Sequence, residues 1–193
     1  MNEIGKKLNF LENISAHGAA VDLNHGILML GALMSAKPIN ILEIGIGTAF
    51  CSELLLQGIK YNQIGKLTCV DNLHDLNGNL PIDTLNYLKD KQVSIAVQSE
   101  KDFVFSRQEN EFDFLVSDGD HNHAHEWTDQ IFKIMKPDSF MFFHDVMEKG
   151  YSLIEYKNQA EKLGKPYYLF NISSRAEEKC ERGWLMIINK KHD

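Results

Sequence analysis

Five short apolar runs, most of them followed by a helix-length stretch, constrain this chain more than any other feature. They lie at 39–44, 67–70, 93–97, 112–116 and 140–143. They are mostly continuous rather than alternating, as expected when helices cover both faces of a sheet. Helical periodicity appears at 49–57, 82–89, 123–135 and 152–163, and two amphipathic helices over 8–17 and 24–36 precede the first strand. Two further strands, 167–172 and 185–188, are joined by SSRAEEKCERG, which has no apolar helical stripe and predicts an antiparallel hairpin at the sheet edge. The order predicts an α/β fold, a doubly wound, seven-stranded, mainly parallel sheet closed by an antiparallel C-terminal hairpin. One domain is expected over 1–193, with N-terminal helices at 1–37 and the sheet-bearing core at 38–193. In such sheets ligands sit at the carboxyl ends of the strands.

Charge narrows the partners. A net charge of −7 and only three scattered arginines, Arg107, Arg175 and Arg182, argue against nucleic acid. Cys51, Cys69 and Cys180 have no metal or redox spacing, and an odd count reads as reduced thiols. The N-terminal stretch is polar and charged, and the longest uncharged apolar run, 26–36, is too short to span a bilayer. A cytoplasmic protein without a membrane partner is expected, and a homodimer is left open.

The first run ends in ILEIGIGTAF, with an acid, Glu43, ahead of Gly45 and Gly47. A third glycine would complete a dinucleotide fingerprint, but that position is Phe50. No Gly-Lys-Ser/Thr follows, which excludes a phosphate-binding P-loop. Glu43 either suits a ligand cation or is a strand-end charge beside a bare turn. The second strand ends in VDN, Asp71 and Asn72, where an acid can accept hydrogen bonds from both hydroxyls of a ribose. After the third strand, Ser99 and Asp102 have capping-box spacing, and the backbone there would lie beside an adenine.

The segment FDFLVSDGDHNHAHEW closes the fourth strand with Asp118, Gly119, Asp120 and His121, and FFHDV closes the fifth with His144 and Asp145. Adjacent parallel strands would bring Asp118, His121, His144 and Asp145 to one rim. Carboxylates attract a divalent cation, and imidazole serves as ligand or general base. Asp120 is read as a cap for the following helix, Glu126 and Asp129 as its exposed face, and His123 and His125 as solvent-facing or at the substrate rim. Tyr151 and Trp184 could line an acceptor pocket or pack inside the protein.

LEIGIGTAF and VDN together resemble the first two motifs of class I S-adenosylmethionine-dependent methyltransferases, a Rossmann-like fold whose seventh strand is antiparallel. DGDH with the later HD resembles a subgroup of metal-dependent O-methyltransferases that includes catechol and macrolide-sugar enzymes. The resemblance runs from about residue 39 to the C-terminus, with the leading helices matching the usual lid and acceptor region. It implies S-adenosylmethionine held by Glu43, Gly45, Gly47, Asp71, Asn72, Ser99 and Asp118. It also implies a divalent ion, magnesium, manganese or another, on Asp118, His144 and Asp145. His121, with Asp118, would be the catalytic pair acting on a small hydroxylated acceptor. His144 stands where the metal-binding members carry an acid, so softer ions are admitted. Two other readings are a metal-dependent hydrolase using the same rim and a non-catalytic adenosylmethionine-binding module.

Overall fold

The computed structural model describes residues 21, 23–72, 80–89, 91, 93–147, 150–170 and 182–190, with the side chains of 80–84 excepted. The expected helix at 8–17 and most of the SSRAEEKCERG connection lie outside the described residues. Helix α1 (Leu23–Ala36) leads into β1 (Asn40–Ile44), α2 (Phe50–Asn62), β2 (Lys66–Asp71), α3 (Leu80–Lys89) and β3 (Ser94–Val97). Next come α4 (Glu100–Phe105), β4 (Phe112–Ser117), a 3-10 turn (Ala124–Glu126), α5 (Thr128–Ile134) and β5 (Met135–His144). Helix α6 (Ile154–Lys162) and strands β6 (Tyr167–Phe170) and β7 (Trp184–Ile188) follow.

The seven strands lie in the order β3-β2-β1-β4-β5-β7-β6. Strands β1 to β5 pair in parallel, and β7 runs antiparallel to both β5 and β6, as the sequence predicts. Chain direction reverses its lateral course between β1 and β4, so the loops after these strands meet at the switch in strand order.

Alternation along the strands divides the core into two layers. Leu42, Ile44, Leu115, Met141 and Phe143 pack with Phe103, Trp127, Ile131 and Tyr156 from α4, α5, α6 and the turn between them. Ile41, Cys69, Phe114, Val116 and Phe142 pack with Met29, Leu33, Phe50, Leu54 and Leu88 from α1, α2 and α3. Burial of about this many large apolar side chains, at roughly 1.5–3 kcal/mol each, supplies the main drive to fold.

Strand β5 begins five residues earlier than the sequence suggests. Phe112 pairs with Met135, but the next pair in register is Phe114 with Phe140. The extra residues form a bulge at Pro137–Asp138, with Asp138 at φ 64° and its amide donating to Asn189 O at 2.9 Å. A proline and a left-handed residue look like a turn in sequence, yet a bulge accommodates both.

Candidate active site

The loop after β1 is shaped by its glycines. Gly45 and Gly47 have φ of 80° and 50°, in the region that favours glycine. A Cβ on Gly45 would run into the carbonyl of Asp118 and come within 2.7 Å of Gly119 Cα. Gly45 therefore lets the β1 and β4 loops touch, and Asp118 N reinforces this by donating to Ile44 O at 2.8 Å. Across the β2 end, Asp71 Oδ2 accepts from Ile46 N at 2.8 Å, so the expected ribose acid also holds the glycine loop. Asn72 lies beside it, half-buried.

Glu43 is not on this surface. It is fully buried, and its Oε2 accepts from Ser52 Oγ at 2.6 Å and from Cys69 Sγ at 2.9 Å. Alternation explains this: Glu43 shares the strand face of Ile41, which points at α2, and it pairs in register with Cys69. Burial raises its carboxyl to about 7, against the hydrogen bonds from Cys69 and Ser52. The expectation that Glu43 faces the ligand's cationic end is corrected to a role beneath the glycine loop.

Beyond β3, Ser99 caps α4, its Oγ accepting from Asp102 N at 3.4 Å. It lines a cavity of about 180 Å³ with Asn72, Glu100, Asp120, His123 and Trp127. Glu100 carries no motif in the sequence. It is 7% exposed, and both its carboxylate oxygens accept from Asp120 N at 3.0 Å. Burial lifts its carboxyl to about 7, opposed by the Asp120 amide. The missed signal is its place, directly after the capping serine at a strand's carboxyl end.

The rim gathers Asp118, His121, His144 and Asp145, as expected from adjacency of β4 and β5. His121 Nε2 lies 3.4 Å from Asp118 Oδ1 and 3.5 Å from Asp145 Oδ2, and its ring stacks on Tyr151 with centroids 4.6 Å apart. Tyr151 is thus a rim residue. Asp145 sits at φ 56°, where the chain leaves strand geometry. His144 is fully buried, its Nδ1 at 3.1 Å from Asp118 Oδ1 and 3.1 Å from Asp145 Oδ1. Its ring meets Trp184 and His25 edge-on at 5.4 and 5.6 Å, and His25 stacks on Trp184 at 5.5 Å. Trp184 is accordingly core, fixed by its pairing with His144 across β5 and β7.

The expected ligand set is Asp118, His144 and Asp145, of which His144 is enclosed. The donor atoms that converge within 4.8 Å of one another belong to Asp118, His121 and Asp145, with His144 supporting the two acids from behind. Burial works against ionising Asp118, but His144 and His121 outweigh it and hold its carboxyl well below the usual range. Burial lifts Asp145 to about 6, helped by the charge of Asp118 and opposed by His144 and Arg182. His121 is desolvated too, yet its bond to Asp118 raises it above the ordinary imidazole value. Asp120 does not cap a helix as expected: its Oδ1 accepts from Asn122 N at 2.8 Å and His123 N at 3.1 Å within the turn that precedes the 3-10 segment, whose N-cap is His123. His123, His125, Glu126 and Asp129 are exposed.

Residues 42–146 match the family described as Methyltransferase domain, and the chain belongs to that family. It is a class I, S-adenosylmethionine-dependent methyltransferase. Solved structures similar to it include the O-methyltransferase TomG from Streptomyces achromogenes, involved in tomaymycin synthesis and solved with SAM. That likeness is 14% identity over 99% of this chain and 91% of TomG, with a TM-score of 0.71. An O-methyltransferase from Bacillus cereus in complex with SAH is 13% identical over 96% of this chain and 90% of its own, with a TM-score of 0.67. The SAH-bound methyltransferase PaMTH1 from Podospora anserina is 12% identical over 96% and 87%, with a TM-score of 0.71. At these identities the likeness speaks for the fold. No curated protein matches the sequence.

Proposed function

We propose that this protein transfers a methyl group from S-adenosylmethionine to a hydroxyl oxygen of a small molecule, at a rim that takes a divalent ion. The observation that carries the reading is the meeting of the glycine loop with Asp118, which sets the Asp/His rim directly beside the cofactor loop. Solved neighbours named as O-methyltransferases, with SAM or SAH bound, support the same chemistry.

Adenosylmethionine would supply a methyl group on a positively charged sulfur, open to in-line displacement by an oxygen nucleophile. Gly45 seats the loop against Asp118, Gly47 gives it the left-handed turn, and the carboxylate of Asp71, which holds Ile46 N, would also accept from ribose hydroxyls. Asn72, Ser99, Glu100 and Trp127 enclose the cavity in which the adenine would lie.

The donor set fits a divalent ion. Asp118, His121 and Asp145 each offer one atom, and Asp145 Oδ1 is buried without a well-aligned hydrogen bond among the described residues. Such an ion would act as a Lewis acid, favouring the ionised form of an acceptor hydroxyl. Two carboxylates with one imidazole admit manganese, iron or zinc as well as magnesium. Tyr151 would hold His121 in place by stacking, and His144 would orient both acids.

A second reading rests on the single nitrogen that His121 turns toward both carboxylates. His121 Nε2 can bind the ion or carry the acceptor's proton, but not both at once. Without an ion His121 is the general base, with Asp118 stabilising its protonated form.

The deciding assay is transfer from labelled adenosylmethionine to a panel of catechols and hydroxylated sugars, with manganese and with chelator. Transfer that needs manganese supports the ion-assisted reading. Equal transfer in chelator selects the His121 base. Absence of bound adenosylhomocysteine or adenosylmethionine, together with metal-dependent hydrolysis, would overturn both in favour of a hydrolase.

A further inference from the structure

Glu100 stands at a junction between two loops that the proposed chemistry uses separately. On one side it lines the 180 Å³ cavity beside Ser99 and Trp127. On the other, its two oxygens receive the Asp120 amide, and its carboxylate lies so close to Gly119 that any Cβ there would overlap it. Glu100 is therefore packed against Gly119 and bonded to the amide of Asp120, the residues between Asp118 and His121. The path continues: His121 O accepts from Ser152 N at 2.7 Å and from Ser152 Oγ at 3.1 Å, just ahead of α6.

We propose that Glu100 is a positioning residue that couples filling of the adenine cavity to the placement of the DGDH loop and of Ser152 behind it. A ligand in the cavity bears on Glu100, Glu100 fixes the Asp120 amide, and the loop settles with Asp118 and His121 at the rim. Cofactor binding thereby orders the acceptor side before the acceptor arrives. A packed carboxylate whose two oxygens share one backbone donor transmits displacement because the interior is close-packed. The inference rests on the adenosylmethionine reading above.

The test is amide hydrogen exchange across 150–156, a segment that does not line the cavity, with and without saturating adenosylhomocysteine. In the wild type, ligand should slow exchange there by about fivefold or more, the lower end of ordinary site-to-site coupling. Glu100→Ala should keep protection of the glycine loop on binding but lose the effect at 150–156. Glu100→Gln retains a carbonyl acceptor for the Asp120 amide and should restore most of it, which a merely structural defect would not do. Unchanged slowing at 150–156 in Glu100→Ala overturns the coupling. So does a wild type whose glycine loop is protected while 150–156 is not. If adenosylhomocysteine protects nothing in the wild type, the cofactor reading itself fails, and that outcome is distinct from the other two.

Discussion

Position 43 shows what a single buried carboxyl group does to this protein. Glu43 is enclosed by Ser52, Cys69 and the apolar layer under α2, and burial raises its carboxyl from 4.5 to about 7. At low pH the folded and unfolded chains both carry the proton. As pH rises past 4.5 the unfolded chain ionises while the folded one does not, so stability from this group falls until about 7 and then stays level. Glu43→Gln removes the titration, so its stability relative to wild type should climb across that window by on the order of 3 kcal/mol. Urea midpoints of both proteins at pH values on either side of the window check this, and parallel profiles would show that Glu43 stays ionised when folded. His144 teaches a related lesson. Its place at the end of an apolar strand is readable, but its enclosure comes from Trp184 and His25, which are distant in sequence.

Helix α2 ends with a residue in an unfavourable backbone region. Gln63 is the C-cap of α2 at φ 56°, exposed, where glycine carries no Cβ penalty. Gln63→Gly should stabilise the protein by about 0.5–1 kcal/mol, read as a rise in the thermal midpoint, because the left-handed cost for other residues is about 1–2 kcal/mol. A fall in the midpoint would mean that the Gln63 side chain contributes more than its conformation costs. Elements with strong apolar periodicity were legible in sequence, including the apolar centre of each strand and the closing hairpin. Two were not fully so. Helix α4 is six residues long, too short for a periodic signal, and only its Ser99 cap announces it. The first half of β5 carries Lys136, Pro137, Asp138 and Ser139, which resemble a turn until the bulge against Phe112–Phe114 is seen. At the site, the strand ends carrying Asp71, Asp118 and Asp145 were readable because polar groups closed apolar runs. Glu43 was misplaced although period-two alternation with Ile41 points it inward. Glu100 went unread because its partner is a backbone amide twenty residues on.

At the scale of the whole molecule, topology gathers the chemistry. The parallel strands β1, β2, β3, β4 and β5 all deliver their following loops to one end, and the reversal between β1 and β4 sets the glycine loop against the DGDH loop. No helix among the described residues is long and apolar enough to cross a membrane. Among the described residues, helices on both faces leave that end of the sheet as the place where a ligand can reach the strands. The central claim is that this end takes adenosylmethionine through the Gly45–Gly47 loop and Asp71, and calorimetric titration with adenosylhomocysteine tests it most directly. Wild type should bind in the micromolar range, roughly −7 to −9 kcal/mol. Asp71→Ala should weaken binding by about 1.5–3 kcal/mol, the loss expected for hydrogen bonds to a charged group. No binding of adenosylhomocysteine, with tight binding of NAD that is indifferent to Asp71→Ala, would contradict the account.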